Sequence, residues 1–389
     1  MSDRGQRAQG LLLNPRLPEG RRLTIEAAWK KKLDSITASA GTDAIGILTS
    51  GSTSGGAMEC VTVLSQPALE SSAAAVNRHF HFSSKTRWAL MLPTFHVGGY
   101  MIQLRAELTG AEVFPFKSEW NALAATDFLT DGKISVVSLV PAQVFDLVSS
   151  RLSAPASLQT VIVGGGRLDV GLRQQAIALG WPIFESYGMT ETCSQIAASE
   201  NAQSSRMRSL GHFQLKVDHE TSELLVNGPA LFSGKLQFEG ENAFWRPAET
   251  DVDGFYRTTD RVQLFTENGV SYLSFLGRTI DVVKVLGENI DLAKVRAALV
   301  SIDSPAGVTN MDVVAIANQR REHELVLVLE APKTDFDADN LLQILRKVQS
   351  RLRESLLPVE VPTAIKTVSQ FPRSDLGKIL YPKLLAELS

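Results

Sequence analysis

The sequence has few cysteines, no long apolar run and no excess of basic residues. Its 389 residues include two cysteines, Cys60 and Cys193, which are far apart and not in a CxxC spacing. We therefore expect neither a disulfide framework nor a zinc site, and a reducing compartment is the default. No segment reaches the roughly 18 consecutive apolar residues of a membrane-spanning helix, and the polar N-terminus lacks a signal-peptide pattern. These absences predict a cytoplasmic protein that does not use a membrane.

The charge balance argues against a nucleic-acid partner. The chain carries 39 Lys and Arg against 42 Asp and Glu, a formal net charge of −3. It therefore has no basic excess with which to hold a phosphate backbone. Hydrophobic residues make up 44% and charged residues 21% of the chain, as in ordinary globular proteins. The length predicts two or three domains, and the oligomeric state stays open.

Short apolar segments alternate with helical patterns through the first two thirds of the chain. The predicted strands are Ala44–Leu48, Trp88–Leu92, Ile134–Leu139, Thr160–Val163 and Ile183–Glu185, and the predicted helices are Gln66–Phe80, Pro141–Ser150 and Leu168–Leu179. This alternation is typical of layered α/β sheets.

Two further patterns follow in the rest of the chain. A β-rich part has predicted strands Glu223–Val226, Leu236–Phe238, Val262–Phe265 and Val270–Phe275, with a hairpin turn at Thr266–Gly269. The C-terminal part has predicted helices Leu292–Leu299 and Asn340–Leu357, and predicted strands Val313–Ala317, Leu325–Leu329 and Ala364–Val368. The predicted fold class is therefore α/β. A large N-terminal domain with a β-rich subdomain covers residues 1–278, and a small mobile α+β domain covers residues 279–389.

A loop of hydroxyls and glycines follows the first strand, and we expect a helix after it. The loop reads TSGSTSG over Thr49–Gly55. Glycines let backbone N–H groups converge and hydroxyls add donors, so such a loop can hold phosphate. It lacks the GK[ST] ending of a Walker loop. From these residues alone, an ordinary exposed loop is the alternative.

Two motifs at later strand ends suit a nucleotide. In YGMTE (Tyr187–Glu191) the aromatic ring can stack on a base, the Thr can donate to a phosphate and the Glu can bind Mg²⁺. Gly164–Gly166 end a strand without side chains, which allows close approach of a flat ligand. An ordinary turn is the alternative for both.

Two motifs in the last third and at the C-terminal end of the chain, respectively, could supply charge. The Asp of TTD (Thr258–Asp260) could accept hydrogen bonds from ribose hydroxyls, or it could serve as a cap. In PRSDLGK (Pro372–Lys378), a lysine at a loop tip could reach a distant phosphate or carboxylate, or simply be solvated.

Taken in order, these elements resemble the adenylate-forming superfamily of acyl-CoA synthetases, firefly luciferases and peptide-synthetase adenylation domains. Two more stretches strengthen the resemblance, LPTFHVGG (Leu92–Gly99) and GRTIDVVKVLGE (Gly277–Glu288). Six elements carry the resemblance and span nearly the whole chain after residue 45, namely TSGSTSG, LPTFHVGG, YGMTE, TTD, GRTIDVVKVLGE and PRSDLGK. The resemblance implies ATP, Mg²⁺ and coenzyme A as cofactors and a small carboxylic acid as substrate.

The resemblance also implies roles for individual residues. The β- and γ-phosphates are assigned to Thr49, Ser50, Gly51, Ser52, Thr53 and Gly55, and the adenine to Gly164, Gly165, Gly166, Tyr187 and Gly188. Thr190 would contact the α-phosphate, Glu191 would bind Mg²⁺, and Asp260 and Arg278 would bind the ribose. His96 would lie by the acyl pocket, and Lys378 would bridge the α-phosphate and the substrate carboxylate. Lys284 would face the site in a second state, reached when the small domain swings about a hinge after Arg278.

The sequence departs from the family pattern in several ways. The phosphate loop normally ends in Pro-Lys, but here the stretch is Gly56-Ala57-Met58-Glu59, which has no cation. TTD replaces the usual TGD, and Ile280 stands where a polar residue is frequent. The loop also begins early, at Thr49, so we expect the first subdomain to be missing or reduced. Cys60–Phe80 together with LPTFHVGG is similar to the o-succinylbenzoate–CoA ligase branch.

Three hypotheses follow from the resemblance. The first is an acid–CoA ligase, with o-succinylbenzoate of menaquinone biosynthesis as the expected substrate. The second is a non-catalytic relative that binds an adenylate or acyl ligand, suggested by the missing loop lysine. The third is an adenylating enzyme that loads a carrier protein. A cation for the far carboxylate of a dicarboxylic acid could come from Arg105, Arg167 or Arg173, although we expect each at the surface.

Overall fold

The computed structural model describes residues 10–51, 58–204, 206–239, 242–285, 288–318, 322–332, 336–375 and 377–388. The chain forms two compact units. The first contains the residues up to 219 together with 224–258 and 263–274, and the second contains 220–223, 259–262 and the residues from 275 onward. The domain boundary after Arg278 stays a prediction.

The first unit contains most of the strands and seven of the helices in the described ranges. In chain order its elements are β1 (Leu11–Leu12), α1 (Glu19–Lys31), α2 (Leu33–Ala40), β2 (Ile45–Gly51), β3 (Met58–Leu64), α3 (Gln66–Phe80), β4 (Arg87–Leu90), α4 (Val97–Thr109), β5 (Glu112–Pro115), α5 (Ala122–Asp131), β6 (Val136–Leu139), α6 (Pro141–Ser149), β7 (Thr160–Val163), α7 (Val170–Ala178), β8 (Ile183–Met189), β9 (Ser194–Ser199), β10 (Met207–Ser209), β11 (Gln214–Val217), β12 (Glu223–Asn227), β13 (Gly234–Glu239), β14 (Asn242–Pro247), β15 (Tyr256–Glu267) and β16 (Val270–Arg278). Strands β12, β15 and β16 also contribute residues to the second unit.

An eleven-stranded sheet forms the centre of the first unit. Its order is β11-β12-β15-β16-β10-β9-β8-β7-β6-β4-β5. The pairs β4–β5, β4–β6, β6–β7 and β7–β8 are parallel. Apolar side chains of this parallel part pack into two separate clusters, one around Trp181 and one around Trp88. Sheets covered on both faces are typical of α/β folds, so the predicted fold class is confirmed.

A second, five-stranded sheet has the order β1-β2-β3-β13-β14. Val61, Val63, Leu236 and Phe238 share an apolar cluster with side chains of α1 and α2. Because side chains alternate along a strand, Thr62 and Lys235 lie on the opposite face of this sheet.

The second unit contains a smaller sheet between helices. Its further elements are β17 (Val282–Val285), β18 (Glu288–Asp291), α8 (Leu292–Val300), β19 (Asn310–Asn318), β20 (Glu322–Glu330), α9 (Ala338–Leu352), β21 (Ala364–Val368) and α10 (Tyr381–Leu388). The strand order is β18-β17-β20-β19, with β21 parallel to β20. One apolar cluster joins this sheet to α8 and α9, and another joins it to α10. This is the α+β arrangement that the sequence predicts.

Several predicted elements are confirmed at their ends. Helix α3 begins after Ser65, whose Oγ accepts from the Ala68 N–H at 3.4 Å. It ends at His81, whose φ of 57° is left-handed, so local capping explains both limits. The predicted hairpin is also present, since Asn268 and Gly269 join β15 to β16 with φ of 52° and 76°. In the described ranges, none of the helices has the length and apolar character needed to cross a membrane.

Candidate active site

The predicted phosphate loop connects two antiparallel strands. Ser50 of β2 pairs with Glu59 of β3, and Gly51 pairs with Met58. The prediction of a helix directly after the loop is therefore wrong. Val61 and Val63 are fully buried while Thr62 faces the other side, and this period-two pattern favours a strand.

Among the residues predicted to bind phosphate, Thr49 has side-chain contacts that the structure describes. Its hydroxyl donates to the Cys60 carbonyl at 3.2 Å and lies 3.2 Å from the Thr62 hydroxyl. Ser50 and Gly51 belong to β2. Ser52, Thr53 and Gly55 lie outside the described residues, so their assignment stays a prediction.

Tyr187 and Gly188 lie in β8, which continues beyond its predicted end at Glu185. The pairing of β8 with β9 has an irregularity between these two residues. A Cβ atom on Gly188 would lie 1.6 Å from the Ser194 carbonyl oxygen. Glycine is therefore needed there because the two backbones approach closely. Tyr187 is 9% exposed.

The glycine turn and Tyr187 lie at the same edge of the large sheet. Gly164–Gly166 directly follow β7, which is parallel to β8, with Val163 opposite Glu185. A Cβ atom on Gly164 would lie 2.8 Å from Ser186 Oγ. In open α/β sheets, ligands bind beyond the carboxyl ends of the strands. The structure therefore brings together the two motifs that the sequence assigns to adenine.

Glu191 forms an ion pair that the sequence analysis missed. It lies in a short turn after β8 (Thr190–Thr192). Its Oε1 is 2.7 Å from Lys235 Nζ, and the two side chains are only 16% and 12% exposed. The Phe232 N–H donates to the Glu191 carbonyl at 2.8 Å. Residues far apart in the sequence thus fix the turn that carries Thr190 and Glu191.

A single carboxylate suits a magnesium ion that arrives with its nucleotide. Among the residues that the structure describes, no group of three or more His, Cys, Asp or Glu side chains could hold a metal. Mg²⁺ is typically bound by one or two carboxylates together with substrate phosphates and waters. Glu191 has one such carboxylate, and its assignment to Mg²⁺ stays a prediction.

His96 lies at the start of α4. It occupies the N-cap position, and its ring centroid is 4.7 Å from that of Phe95. A Cβ atom on Gly99 would lie 2.2 Å from the Pro93 carbonyl oxygen. Glycine at this position therefore lets the LPTFH segment fold back on the first turn of the helix.

In the second unit, the two predicted ribose ligands are partners. Arg278 Nε donates to Asp260 Oδ1 at 3.1 Å. Asp260 on β15 is 6% exposed, whereas the Arg278 side chain is 38% exposed. The arginine therefore orients a buried carboxylate and keeps hydrogen-bonding capacity of its own.

The two predicted functional lysines are both exposed in this unit. Lys284 lies on β17, opposite Asn289 of β18. Lys378 follows a tight turn in which Ser374 N–H donates to the Lys378 carbonyl at 2.8 Å and Gly377 N–H donates to the Ser374 carbonyl at 2.8 Å. Gly377 has a φ of 75°, a conformation that favours glycine. Lys378 is exposed, and its role toward a phosphate or carboxylate stays a prediction.

Two of the three candidate arginines are buried, so the expectation that each lies at the surface is wrong. Arg173 Nε is 3.1 Å from Glu185 Oε1, and its guanidinium donates to two backbone carbonyls. Arg105 is 2% exposed and donates to Ser194 Oγ at 3.2 Å, and burial lowers its pKa to about 9. Arg167 is exposed.

Comparison with known proteins identifies the class. Residues 6–244 match the family of AMP-binding enzymes. The chain belongs to this family.

Two relatives of the chain are both described as 2-succinylbenzoate–CoA ligases. The chain is 28% identical over 313 residues to a 2-succinylbenzoate–CoA ligase from Bacillus licheniformis, which covers 77% of this chain and 61% of that protein. It is 26% identical over 327 residues to a 2-succinylbenzoate–CoA ligase from Staphylococcus epidermidis, which covers 81% and 64%. The chain thus spans less than two thirds of the length of these relatives.

Solved structures show the same fold. The Bacillus subtilis o-succinylbenzoate–CoA synthetase, in complex with its acyl-adenylate intermediate, aligns with a TM-score of 0.70 at 21% identity, over 87% of this chain and 68% of that one. ATP-bound MatB from Rhodopseudomonas palustris aligns with a TM-score of 0.72 at 21% identity, over 88% and 67%.

Proposed function

We propose that this chain is an ATP-dependent acid–CoA ligase that works through an acyl-adenylate, with o-succinylbenzoate as its acid. The observation that carries the proposal is the match to 2-succinylbenzoate–CoA ligases along 77% and 81% of the chain. Two further observations support the same reaction. Asp260 and Arg278 form a pair that could bind a ribose, and the two motifs assigned to adenine follow the neighbouring strands β7 and β8.

In the first half-reaction the substrate carboxylate attacks the α-phosphate of ATP and expels pyrophosphate. We assign Thr190 to the α-phosphate, Glu191 to the Mg²⁺ that accompanies ATP, and Thr49 to the phosphate loop. Lys378 supplies positive charge to the α-phosphate and the carboxylate. No proton needs to move, so positioning and electrostatic stabilisation account for the rate.

In the second half-reaction the thiol of coenzyme A attacks the acyl carbonyl and AMP leaves. The bond broken is the mixed anhydride between the acyl group and AMP. We assign Lys284 to this step. His96 is assigned to the acyl pocket, where a half-buried ring at a helix start would contact the acid.

A second candidate is a non-catalytic protein that binds an adenylate or an acyl ligand. The observation that favours it is the phosphate loop, where Gly56-Ala57-Met58-Glu59 contains no cation. Weak binding of the triphosphate would leave an adenylate as the better ligand.

A panel of carboxylic acids with ATP, Mg²⁺ and coenzyme A separates the candidates. We expect AMP release and a CoA thioester with o-succinylbenzoate, and carboxylate-dependent exchange of pyrophosphate into ATP. Asp260→Asn should reduce the exchange, since it removes the charge that Arg278 orients. Exchange that is absent with every acid would favour the binding protein, and AMP release that needs a carrier protein would favour carrier loading.

A further inference from the structure

We propose that Lys235 is the phosphate-binding cation of this site and takes the place of the lysine missing from the phosphate loop. Its ammonium would contact the β- and γ-phosphates of ATP and the departing pyrophosphate. This inference rests on the proposed function and names one more residue of the same site.

The sheet register relates Lys235 to Thr49, the first residue of the predicted phosphate loop. Lys235 of β13 pairs directly with Thr62 of β3, and Thr49 Oγ1 lies 3.2 Å from Thr62 Oγ1. Directly paired residues of neighbouring strands point to the same face. Thr49, Thr62 and Lys235 therefore share one face of the five-stranded sheet, and Thr49 is the first residue of the predicted loop.

The neighbours of Lys235 connect it to the assigned metal-binding carboxylate. Its Nζ is 2.7 Å from Glu191 Oε1 and 5.6 Å from the centroid of the Phe232 ring. Burial raises the pKa of the nearby Cys60 thiol, an effect that Lys235 partly opposes and Glu191 reinforces. The ammonium and the carboxylate are thus adjacent to the strand that leaves the loop.

The charges explain why a lysine belongs here. The loop segment itself offers Glu59 and no cation, and a triphosphate brings several negative charges. A buried carboxylate without a cation would add to the repulsion, while Lys235 cancels the charge of Glu191 before the nucleotide arrives. With the Glu191 carboxylate bound to the Mg²⁺ that accompanies ATP, the Lys235 ammonium would be available to phosphate oxygens, which accept strong charge-assisted hydrogen bonds.

The competing interpretation is a purely structural ion pair that holds the Thr190–Thr192 turn. The two roles differ in ligand selectivity. A phosphate-binding lysine matters for ATP and pyrophosphate but not for AMP, which has no β- or γ-phosphate. A structural lysine would affect all three ligands, because the turn also carries the residue assigned to the α-phosphate.

The test of this role is a calorimetric titration of the Lys235→Met variant. Three ligands are titrated separately: ATP with Mg²⁺, pyrophosphate with Mg²⁺, and AMP. We expect affinity for ATP and pyrophosphate to fall about 10- to 100-fold, the usual loss for a hydrogen bond between charged groups, while affinity for AMP stays within about twofold. Lys235→Arg should recover most of the loss because it keeps the charge. The matched control is Lys216→Met, an exposed lysine 3.6 Å from Asp253, which should bind all three ligands like the wild type.

Three outcomes would overturn the inference. These are an equal loss for AMP and ATP, unchanged binding of ATP and pyrophosphate, and wild-type protein that binds no nucleotide. The last would overturn the proposed function as well. Selective loss of triphosphate binding in a protein that shows no ligase turnover would support the role of Lys235 and count against the proposed function alone.

Discussion

His212 stands in the segment of the chain that connects β10 to β11. The residue is buried, with only 8% of its surface exposed. Burial, reinforced by Arg78, lowers its pKa from 6.5 to about 4. Between these values the unfolded chain binds a proton at this site and the folded chain does not, so the free energy of unfolding rises with pH. The stability is complete above pH 6.5 and is lost as the pH falls toward 4. The full effect is about 3 kcal/mol.

We expect His212→Gln to remove this part of the pH dependence. Urea unfolding of both proteins at pH 7.5, 6 and 5 measures it, because the glutamine does not titrate. The matched control is the exposed His219→Gln, whose unfolding curves should follow those of the wild type. Parallel pH dependence in the wild type and His212→Gln would show that burial does not hold this imidazole neutral.

At the scale of single residues, the family resemblance suggests site members whose residue type carries the assigned role. Asp260 and Arg278 could be paired through the resemblance, and they are 3.1 Å apart. Lys235 could not be found this way. It stands in a strand whose alternation predicts one apolar face, but nothing local indicates that β13 pairs with β3 or that Glu191 folds back against it. Such long-range pairing depends on the packing of the whole sheet.

At the scale of elements, a network of charged side chains connects helix α8 to strand β19 within the second unit. Arg296 on α8 donates to Asp312 of β19 at 3.0 Å and to Asp281 at 2.8 Å. Tyr381 at the start of α10 donates to the other oxygen of Asp312 at 2.8 Å. Burial raises the pKa of Asp312. Two helices are therefore connected to β19 through a carboxylate that depends on its partners.

We expect Arg296→Met to lower the free energy of unfolding of this unit by about 3–5 kcal/mol, because it leaves Asp312 charged, buried and without its cation. The deficit should shrink toward acid pH as Asp312 takes up a proton. Urea-dependent hydrogen exchange of α8 peptides measures the change. In contrast, Arg351→Met, which breaks an exposed pair with Glu354, should cost less than about 1 kcal/mol. Equal effects of the two substitutions would mean that the network contributes little.

Elements with strong local signals were predicted well, and those defined by tertiary packing were not. The cap at Ser65 and the αL residue at His81 delimit α3 as the sequence indicates. Helix α9 instead ends at Leu352, before the predicted Leu357, although Leu356 still packs into the same core. Helices α1, α2, α4, α5 and α10 were not predicted. Helix α1, for example, buries only Ile25, Ala28 and Trp29, a stripe too sparse to stand out in the sequence.

At the scale of the whole molecule, the residues assigned to the proposed reaction are found in both units of the chain. The first unit carries Thr49, Thr190 and Glu191, and the second carries Asp260, Arg278, Lys284 and Lys378. The fold class of both units could be predicted because alternation of strands and helices is a property of each segment. The lining of the acyl pocket could not, since it comes from several elements at once, and o-succinylbenzoate was expected from the family resemblance alone.

The substitution Lys378→Ala tests whether this lysine acts in the adenylation step alone. The substitution removes the ammonium assigned to the α-phosphate and the carboxylate but keeps the backbone N–H and carbonyl groups through which residue 378 bonds to Ser374. We expect adenylation, followed as pyrophosphate exchange, to fall about 100- to 1,000-fold, the usual loss when one group that stabilises transition-state charge is removed. Conversion of supplied acyl-adenylate and coenzyme A to the thioester should stay near the wild-type rate.

Two further variants show whether that effect belongs to Lys378 alone. Lys383→Ala removes an exposed lysine of α10 and should leave both half-reactions unchanged. Lys284→Ala should have the reverse selectivity, slowing thioester formation more than adenylation, because Lys284 is assigned to the second step. If Lys378→Ala slowed both half-reactions equally, its ammonium would not act on the adenylation transition state, and the two lysines would have no separate duties in the catalytic cycle.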